Sequence, residues 1–454
     1  MKIIIIGAGE VGFHIASRLA FENKDVVVID KNAAAVKRIS DTIDAKVIVG
    51  SGSSPVILEE AGIKETEILL AVTDSDEDNL VACLIADIMS PATRKLARVR
   101  NADYDQYHEI FKDKAPHIDT IINPEIEVVK TIYSLMKAPG AVDVGELADG
   151  RVKFIGVKLD SDSRLSGVRM SHLPELLGDS RPLIAGLLRE DELIVPRGND
   201  RMQAGDLVYF ICERKKLSDS LEIFEKPQAN LKRVLIIGGG RIGLRLAEFL
   251  EEKSIYTKII EINQERCHEL SELMNKTVIL NGDGSDQGLL IEENIKDMDV
   301  VVTLTGDEEI NILVSLLSKS LGAKNAITKI NKFSYFPVMS AIGIDQVVSP
   351  RLSAIDTILQ HIRRGKVLSA ISVSGELAEV IEAEALETSD IVGKPLKKIS
   401  FPKGALVIAI IHEEVIIIPT GDDVIEPNDR VIIFAIREAV PKIEKMLTVK
   451  LEFF

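Results

Sequence analysis

Short apolar runs alternate with amphipathic segments along the first third of the chain. The runs predict buried strands at Ile3–Ile6, Val26–Ile29, Val47–Val49, Ile68–Val72, Leu96–Val99 and Thr120–Ile122. Apolar residues at helical spacing predict helices between them, among others at Val11–Phe21, Ala33–Ser40 and Asp76–Met89. Wholly apolar strands that alternate with helices are typical of a parallel sheet covered on both faces. We therefore predict a doubly wound α/β domain at residues 1–137.

The pattern changes at about residue 141, where short strands broken by turn residues become dominant. Examples are the segments Lys153–Leu159, Leu183–Arg189, Glu192–Val195 and Leu207–Ile211. Such spacing, followed by one helical segment, predicts a small α+β domain at residues 141–225. A polar stretch at 226–230 then reads as a linker.

The whole arrangement occurs twice. The segment Lys2–Gly12 recurs as Arg233–Gly243, and Asp30 recurs as Glu261, both at an offset of 231 residues. Further matches continue to the end of the chain while the offset drifts slowly to 223, as insertions and deletions in loops would cause. We interpret the 454 residues as a tandem repeat of one unit of roughly 227 residues. The second copies of the two domains are predicted at 231–360 and 367–450.

Composition narrows the function classes. The chain is 46% hydrophobic and 28% charged, with a formal net charge of −16. An acidic protein repels nucleic-acid phosphates and anionic lipid, so we expect no nucleic-acid partner and no direct insertion into a membrane. Three scattered cysteines and the lack of a long apolar run or a signal sequence favour a cytoplasmic protein without disulfides.

A glycine-rich turn follows the first predicted strand and opens the first predicted helix. In this Rossmann-type motif Gly7 permits the tight turn, Gly9 admits a pyrophosphate, and Gly12 allows the helix to pack on the sheet. Asp30, at the end of the next strand, is placed to accept hydrogen bonds from ribose hydroxyls, which favours NAD over NADP. The motif predicts a nucleotide site, although the glycines could also serve packing alone.

The second copy carries the same pattern. Gly238, Gly240 and Gly243 repeat the three glycines, and Glu261 stands where Asp30 stands in the first copy. The same chemistry is therefore predicted for the second half. Because one of two duplicated sites can lose its function, the packing alternative carries more weight here.

Further candidates lie at the ends of later strands, where open α/β sheets bind their ligands. Thr73 could contact a ribose or a phosphate, whereas Asp74 and the serine after it could simply cap a helix. Arg98 could pair with a phosphate or form an ordinary surface salt bridge.

We find no motif for a metal site or for catalytic residues, so we expect a protein that is not an enzyme.

These residues carry a resemblance to a known family. The opening MKIIIIGAGEVG, the acid at Asp30, and the segments GSGSSP and TDSDEDN resemble the RCK, or KTN, nucleotide-binding domain. The tandem order of nucleotide domain and small domain, used twice, is similar to the TrkA family of potassium-uptake regulators. The resemblance spans the whole chain.

The family resemblance implies which residues hold the nucleotide. They are the glycine turn, the acid, the threonine–aspartate pair after the fourth strand and a basic residue that ends the fifth strand. In the first half these are Gly7, Ala8, Gly9, Glu10, Val11, Gly12, Asp30, Thr73, Asp74 and Arg98. In the second half they are Gly238, Gly239, Gly240, Arg241, Ile242, Gly243, Glu261, Thr305 and Lys329, with Gly306 in the place of the aspartate.

The resemblance also implies a function. It suggests a regulatory subunit that binds NAD or NADH, with ATP and ADP as further candidates, and gates potassium flux. Its partner would be a membrane-spanning Trk subunit of the TrkH or TrkG type, and the chain itself would form a homotetramer. We expect it to lie at the inner face of the cell membrane through that partner.

Two other functions stay open at this point. An NAD-dependent oxidoreductase would need a proton donor near the nicotinamide, and the sequence shows no such group. A nucleotide sensor for another transporter would share every motif. The amphipathic segment at 124–137 is either a core helix of its own domain or a helix that packs between the paired halves.

Overall fold

A computed structural model describes residues 1–178, 181–190, 192–228, 230–344, 346–362, 367–374 and 377–447, without the side chains of residues 102, 105, 106, 333 and 337. The predicted domain ranges include residues 179–180, 191, 345, 375–376 and 448–450, which lie outside the described residues. No helix in the described segments is long and apolar enough to cross a membrane.

The first half begins with a parallel six-stranded sheet. Its strands are β1 (Lys2–Ile6), β2 (Asp25–Asp30), β3 (Lys46–Val49), β4 (Ile68–Ala71), β5 (Arg94–Arg98) and β6 (Thr120–Ile122). Their order is β3-β2-β1-β4-β5-β6, so the strand order reverses direction next to β1. The helices are α1 (Glu10–Phe21), α2 (Ala33–Thr42), α3 (Pro55–Ala61), α4 (Asp76–Met89), α5 (His108–Asp113) and α6 (Pro124–Lys137). This confirms the predicted doubly wound α/β fold.

An antiparallel five-stranded sheet follows. It contains β7 (Ala141–Leu147), β8 (Val152–Lys158), β9 (Leu183–Arg189), β10 (Glu192–Ile194) and β11 (Leu207–Glu213), in the order β10-β9-β11-β8-β7. Helices α7 (Leu173–Leu177) and α8 (Leu217–Ile223) complete this small α+β domain. Strand β7 was not predicted, because polar residues interrupt its apolar pattern.

The second half repeats both folds. Its parallel sheet contains β12 (Arg233–Ile237), β13 (Tyr256–Glu261), β14 (Val278–Asn281), β15 (Val300–Thr303), β16 (Ala326–Lys329) and β17 (Gln346–Val348). The accompanying helices are α9 (Arg241–Glu252), α10 (Gln264–Leu273), α11 (Gln287–Glu292), α12 (Glu308–Ser320), α13 (Phe336–Met339) and α14 (Pro350–Ile362). The second small domain contains β18 (Val367–Val373), β19 (Ala378–Glu384), β20 (Ala405–His412), β21 (Val415–Ile417), β22 (Arg430–Ile436) and α15 (Val440–Leu447). The two pairs of sheets have equivalent strand orders.

The chain forms two compact units that do not follow the repeat boundary. One unit comprises Met1–Glu127 and Pro350–Arg363, and the other comprises Val128–Ser349 and Arg364–Phe454. In the first unit, α14 packs against α1 and β6, although it follows the last strand of the second parallel sheet. Its buried face consists of Ala354, Ile355, Ile358, Leu359 and Ile362.

The second unit contains the reciprocal arrangement. From Val128 onward, α6 belongs to the core of the second parallel sheet, where Ile132 is buried together with Val234 and Leu246. Tyr133 and Phe249 add an edge-to-face ring contact with centroids 4.9 Å apart. The helix that follows each parallel sheet along the chain therefore packs on the other sheet, as one of the two hypotheses for 124–137 proposed.

The two small domains share a core within the second unit. Phe154 and Tyr209 stack with ring centroids 5.4 Å apart, and Phe434 from the second small domain lies 6.0 Å from Phe154. Ion pairs border this core: Arg151 contacts Glu414 at 2.6 Å, and Arg430 contacts Asp149 at 2.8 Å. The duplicated chain thus pairs its own small domains face to face.

Two candidate nucleotide sites

The first glycine turn has the geometry that phosphate binding requires. Gly7 has φ +111°, a backbone conformation that side chains disfavour. A Cβ on Gly12 would lie 1.8 Å from the Gly7 carbonyl oxygen, so α1 packs there only without a side chain. A Cβ on Gly9 would meet no atom of the described residues within 4 Å, which leaves the backbone open to a ligand.

Helix α1 presents its N-terminus to this turn. Gly9 is its N-cap and, as a glycine, makes no side-chain hydrogen bond to the first backbone N–H groups. Uncapped N–H groups together with the helix dipole make such an end a binding site for anions. The geometry therefore supports a phosphate-binding role for the segment from Gly7 to Val11.

Asp30 braces the same turn. One carboxylate oxygen accepts a hydrogen bond from the Ala8 backbone N–H at 2.5 Å, and the other accepts one from Asn32 at 2.7 Å. Each carboxylate oxygen has two lone pairs, so one position on each remains for a ribose hydroxyl. Asp30 can thus shape the turn and bind a ligand at once.

The loop after β4 contains Thr73 and Asp74, and we call it the threonine loop. It is held by Asn79, which is fully buried. The Asn79 amide oxygen accepts hydrogen bonds from the backbone N–H of Thr73 at 2.9 Å and from its hydroxyl at 2.7 Å. The Asn79 amide nitrogen donates to the Arg98 carbonyl at 2.8 Å. One side chain thereby ties the ends of β4 and β5 together.

Arg98 fastens this loop a second time. Its guanidinium donates to the Thr73 carbonyl at 2.6 Å and to the Asp74 carboxylate at 2.7 Å. Burial lowers the pKa of the guanidinium, which the carboxylate of Asp74 partly offsets. Arg98 is 7% exposed, whereas the side chain of Asp74 is 97% exposed, so the salt bridge of the second hypothesis is present with one buried and one exposed partner. The helix after the loop is capped by Ser75, which accepts from the Asp78 N–H at 2.9 Å.

These elements enclose a cavity of about 370 Å³ at the carboxyl edge of the first sheet. Eight of the predicted site residues line it: Gly7, Gly9, Glu10, Val11, Asp30, Thr73, Asp74 and Arg98. Ala8 and Gly12 do not, since Ala8 is buried and Gly12 packs against Gly7. The cavity falls within the size range of small-molecule sites.

The second half repeats the turn. Gly238 has φ +106°, and a Cβ on Gly243 would lie 2.1 Å from the Gly238 carbonyl oxygen. In the part of the chain that the structure describes, a Cβ on Gly240 would meet nothing within 4 Å. Glu261 accepts from the Gly239 N–H at 2.7 Å, as Asp30 does from Ala8. The predicted residues Arg241 and Ile242 form the first turn of α9.

The loop after β15 differs from its counterpart. Asn311 accepts from the Thr305 N–H at 2.9 Å and from its hydroxyl at 2.8 Å, which repeats the asparagine contacts. Gly306 offers no carboxylate, and Lys329 donates to the Leu304 carbonyl at 3.4 Å. In the first copy the Arg98 Nη2 atom donates to both a carbonyl and the Asp74 carboxylate, and the second loop has no carboxylate at the equivalent position.

Two residues with a part in the first site were not predicted. Asn79 has a counterpart at Asn311, so its recurrence in the repeat was an available signal. Arg351 also lines the first cavity, although it lies in α14 after the second sheet. No local pattern links Arg351 to the first glycine turn, because only the exchange of helices brings it there.

Comparison with known proteins identifies the family of this chain. The TrkA-N domain family matches residues 3–124 and 234–350, and the TrkA-C domain family matches residues 154–225 and 380–448. The Trk system potassium uptake protein TrkA of Azorhizobium caulinodans is 36% identical over 459 residues and covers 100% of both chains. The chain belongs to the TrkA family. The resemblance stated from the motifs is thereby confirmed.

Solved structures share the fold of this TrkA-family chain. A structure described as the GsuK channel bound to NAD has 19% identity and a TM-score of 0.59, covering 98% of this chain and 78% of that one. A second, described as GsuK bound to ADP, has 17% identity and a TM-score of 0.50, covering 79% and 68%. At these identities the likeness concerns the fold alone, which confirms the RCK architecture.

Proposed function

We propose that this chain is a regulatory subunit of a potassium-uptake system. It binds NAD or NADH in its nucleotide domains and gates potassium flux through a membrane-spanning partner of the TrkH or TrkG type. The observation that carries this proposal is the cavity of about 370 Å³ in which the open glycine turn, the Asp30 carboxylate and the braced threonine loop meet. The names of the TrkA relatives and of the NAD-bound GsuK structure support it.

The cavity chemistry favours an adenine nucleotide with unmodified ribose. The N-terminus of α1 attracts the phosphates, while the Asp30 carboxylate accepts from ribose hydroxyls and repels a 2′-phosphate. ADP and ATP offer the same adenosine and phosphate groups, and the ADP-bound GsuK structure makes them candidates as well. NADP is expected to bind least well.

Regulation follows from differential affinity. A nucleotide shifts the equilibrium between two conformations only if it binds one of them better. A thirtyfold difference in affinity corresponds to about 2 kcal/mol per site. We propose a cytoplasmic homotetramer held at the inner face of the membrane by its partner, in which several such sites add their effects without chemical conversion of the ligand.

Calorimetric titration of the full chain with NAD, NADH, ADP and ATP tests the binding step. Asp30→Ala should weaken the first site at least tenfold, because a carboxylate hydrogen bond is lost, and Glu261→Ala should do the same at the second. Asp25→Ala, an exposed acid at the other end of β2, serves as the control. Absence of heat with all four ligands would refute nucleotide regulation.

Potassium flux into vesicles that contain a TrkH-type subunit tests the gating step. Flux should depend on added chain and change with nucleotide, and Asp30→Ala should reduce the nucleotide effect. Steady hydride transfer from NADH to a small carbonyl compound, lost with Gly9→Ala, would instead favour the oxidoreductase hypothesis.

A further inference from the structure

Arg351 occupies an unexpected place. It is the second residue of α14, which directly follows the last strand of the second parallel sheet. Within the first compact unit, however, α14 packs on α1, and Arg351 lines the first cavity together with Gly9, Glu10 and Val11. The second half of the chain thus contributes a cation to the cavity of the first half.

Glu10, which lines the cavity beside Arg351, already pairs with another residue. Glu10 accepts a hydrogen bond from Arg38 at 2.7 Å, and the Arg38 guanidinium also lies 4.2 Å from the Phe13 ring centroid. This hydrogen bond lowers the pKa of the Glu10 carboxyl, and the positive charge of Arg351 acts in the same direction. Arg38 is already hydrogen-bonded to Glu10, so Arg351 adds a further positive charge to the cavity. This charge lies beside the N-terminus of α1, where we expect the phosphates to bind.

The internal repeat shows that the position of the arginine differs between the two compact units. The residue that corresponds to Glu10 is Arg241, at an offset of 231, and the residue that corresponds to Arg351 is Glu125, at an offset of 226. The acid and the base are therefore exchanged between the two copies. In the first compact unit the arginine lies at the start of α14, whereas in the second compact unit it lies at the start of α9, directly after the glycine turn.

We propose that Arg351 binds the phosphate of the nucleotide in the first site. Resting on the function proposed above, this makes the first site a composite: glycine turn, acid and threonine loop come from the first half, and one phosphate ligand comes from the second. A guanidinium forms forked hydrogen bonds to phosphate oxygens. The bound phosphate would also hold α14 in place on α1, so that occupancy of the first site stabilises the helix exchange.

Hydrogen-exchange mass spectrometry of the full chain, titrated with ADP, tests this because it resolves the two sites by peptide. In the wild type, ADP should protect residues 7–12 and also α14. Arg351→Ala should raise the ADP concentration for half-protection of residues 7–12 at least tenfold, or about 1.4 kcal/mol, and leave residues 238–243 unchanged. Arg351→Lys should lie between the two. Lys112→Ala, which removes an exposed charge away from the cavity, is the matched control.

Adenosine, which has no phosphate, separates ligand binding from a structural role. Its half-protection concentration should be the same in Arg351→Ala and in the wild type. An equal loss for adenosine and ADP, or an unchanged ADP midpoint in Arg351→Ala, would overturn the inference while the proposed function stands. If no nucleotide protects residues 7–12 in the wild type, the proposed function itself fails.

If α1 of the Arg351→Ala variant is less protected from hydrogen exchange than in the wild type when no ligand is present, Arg351→Gln replaces it in the test. Glutamine is closer to arginine in size than alanine is. Its ADP midpoint is expected to move in the same direction, with adenosine again unaffected. An ADP midpoint equal to that of the wild type would overturn the assignment.

Discussion

The two glycine turns of this chain make the same contacts, whereas the loops beside them do not. Both turns have a left-handed first glycine, an open middle glycine and an acid that accepts from the turn backbone. Beside the first turn, Arg98 pairs with Asp74, but beside the second, Gly306 takes the place of the aspartate and Lys329 donates to the Leu304 carbonyl. Backbone geometry is thus retained in both copies, while charged contacts to the ligand region have diverged.

The comparison extends to the helices that complete each unit. Ile132 in α6 and Ile358 in α14 are equivalent in the repeat and are both fully buried. Each lies in the unit whose parallel sheet comes from the opposite half of the chain. The exchange therefore makes each half depend on a helix from the other.

The largest effect is expected from disrupting the exchange of helices α6 and α14 between the two halves of the chain. Ile132→Ala should destabilise the second parallel sheet by about 2–5 kcal/mol, because it leaves a cavity in a packed core. Ile358→Ala should do the same to the first. Hydrogen exchange should then rise in residues 233–261 for the first variant and in residues 2–30 for the second. The reverse assignment would show that each helix belongs to its own half.

A smaller effect is expected from converting one site into the other. The double change Asp74→Gly and Arg98→Lys should weaken ADP binding at the first site about tenfold, since the charged hydrogen bonds to the threonine loop are lost. The reciprocal change, Gly306→Asp with Lys329→Arg, should strengthen the second site. Among the residues that the structure describes, none has an atom within 4 Å of a Cβ at Gly306, so the aspartate fits.

Site-resolved hydrogen exchange measures this conversion, and the unaltered site in each variant serves as the internal control. Unchanged midpoints in both double variants would mean that the loop charges do not distinguish the two sites. The difference between the sites would then have to arise elsewhere, with Arg351 as the next candidate.

The smallest effect concerns the paired small domains. Arg189 forms two hydrogen bonds with Asp206, each of 2.8 Å, whereas the equivalent residue His412 contacts Asp429 at 2.7 Å. The hydrogen bond with Asp429 raises the pKa of His412 above its ordinary value. The stabilising ion pair is therefore complete below the ordinary histidine pKa and is lost as the pH rises through the raised value.

Exchange protection of β20 and β22, corrected for the intrinsic rate, should fall about threefold or less as the pH rises through this range, since half-exposed pairs are weak. Protection of β9 and β11 should stay constant, because arginine keeps its charge. His412→Arg should remove the pH dependence. A dependence that persists in His412→Arg would assign it to another group.

Much of the fold could be predicted from the sequence because wholly buried parallel strands are apolar along their length. The strands at Ile3–Ile6 and Val26–Ile29 were predicted to within one residue at each end. Strand β7 was missed because Asp143 and Gly145 interrupt its pattern. Asp143 accepts a hydrogen bond from the Tyr209 hydroxyl at 2.7 Å, and a Cβ on Gly145 would lie 2.5 Å from Ile371. The residues of β7 are determined by packing between the two small domains, and no periodic pattern in the local sequence reveals such packing.

What the sequence by itself determined is the repeat, the fold of each half and the two glycine turns with their acids. These follow from local rules, since strand burial and tight turns restrict residue types at short range. The tertiary structure alone decided that α6 and α14 exchange places, that Asn79 and Arg98 hold one loop together, and that Arg351 enters the first cavity. Contacts between residues far apart in the chain depend on which surfaces bury each other, and spacing along the sequence does not specify that.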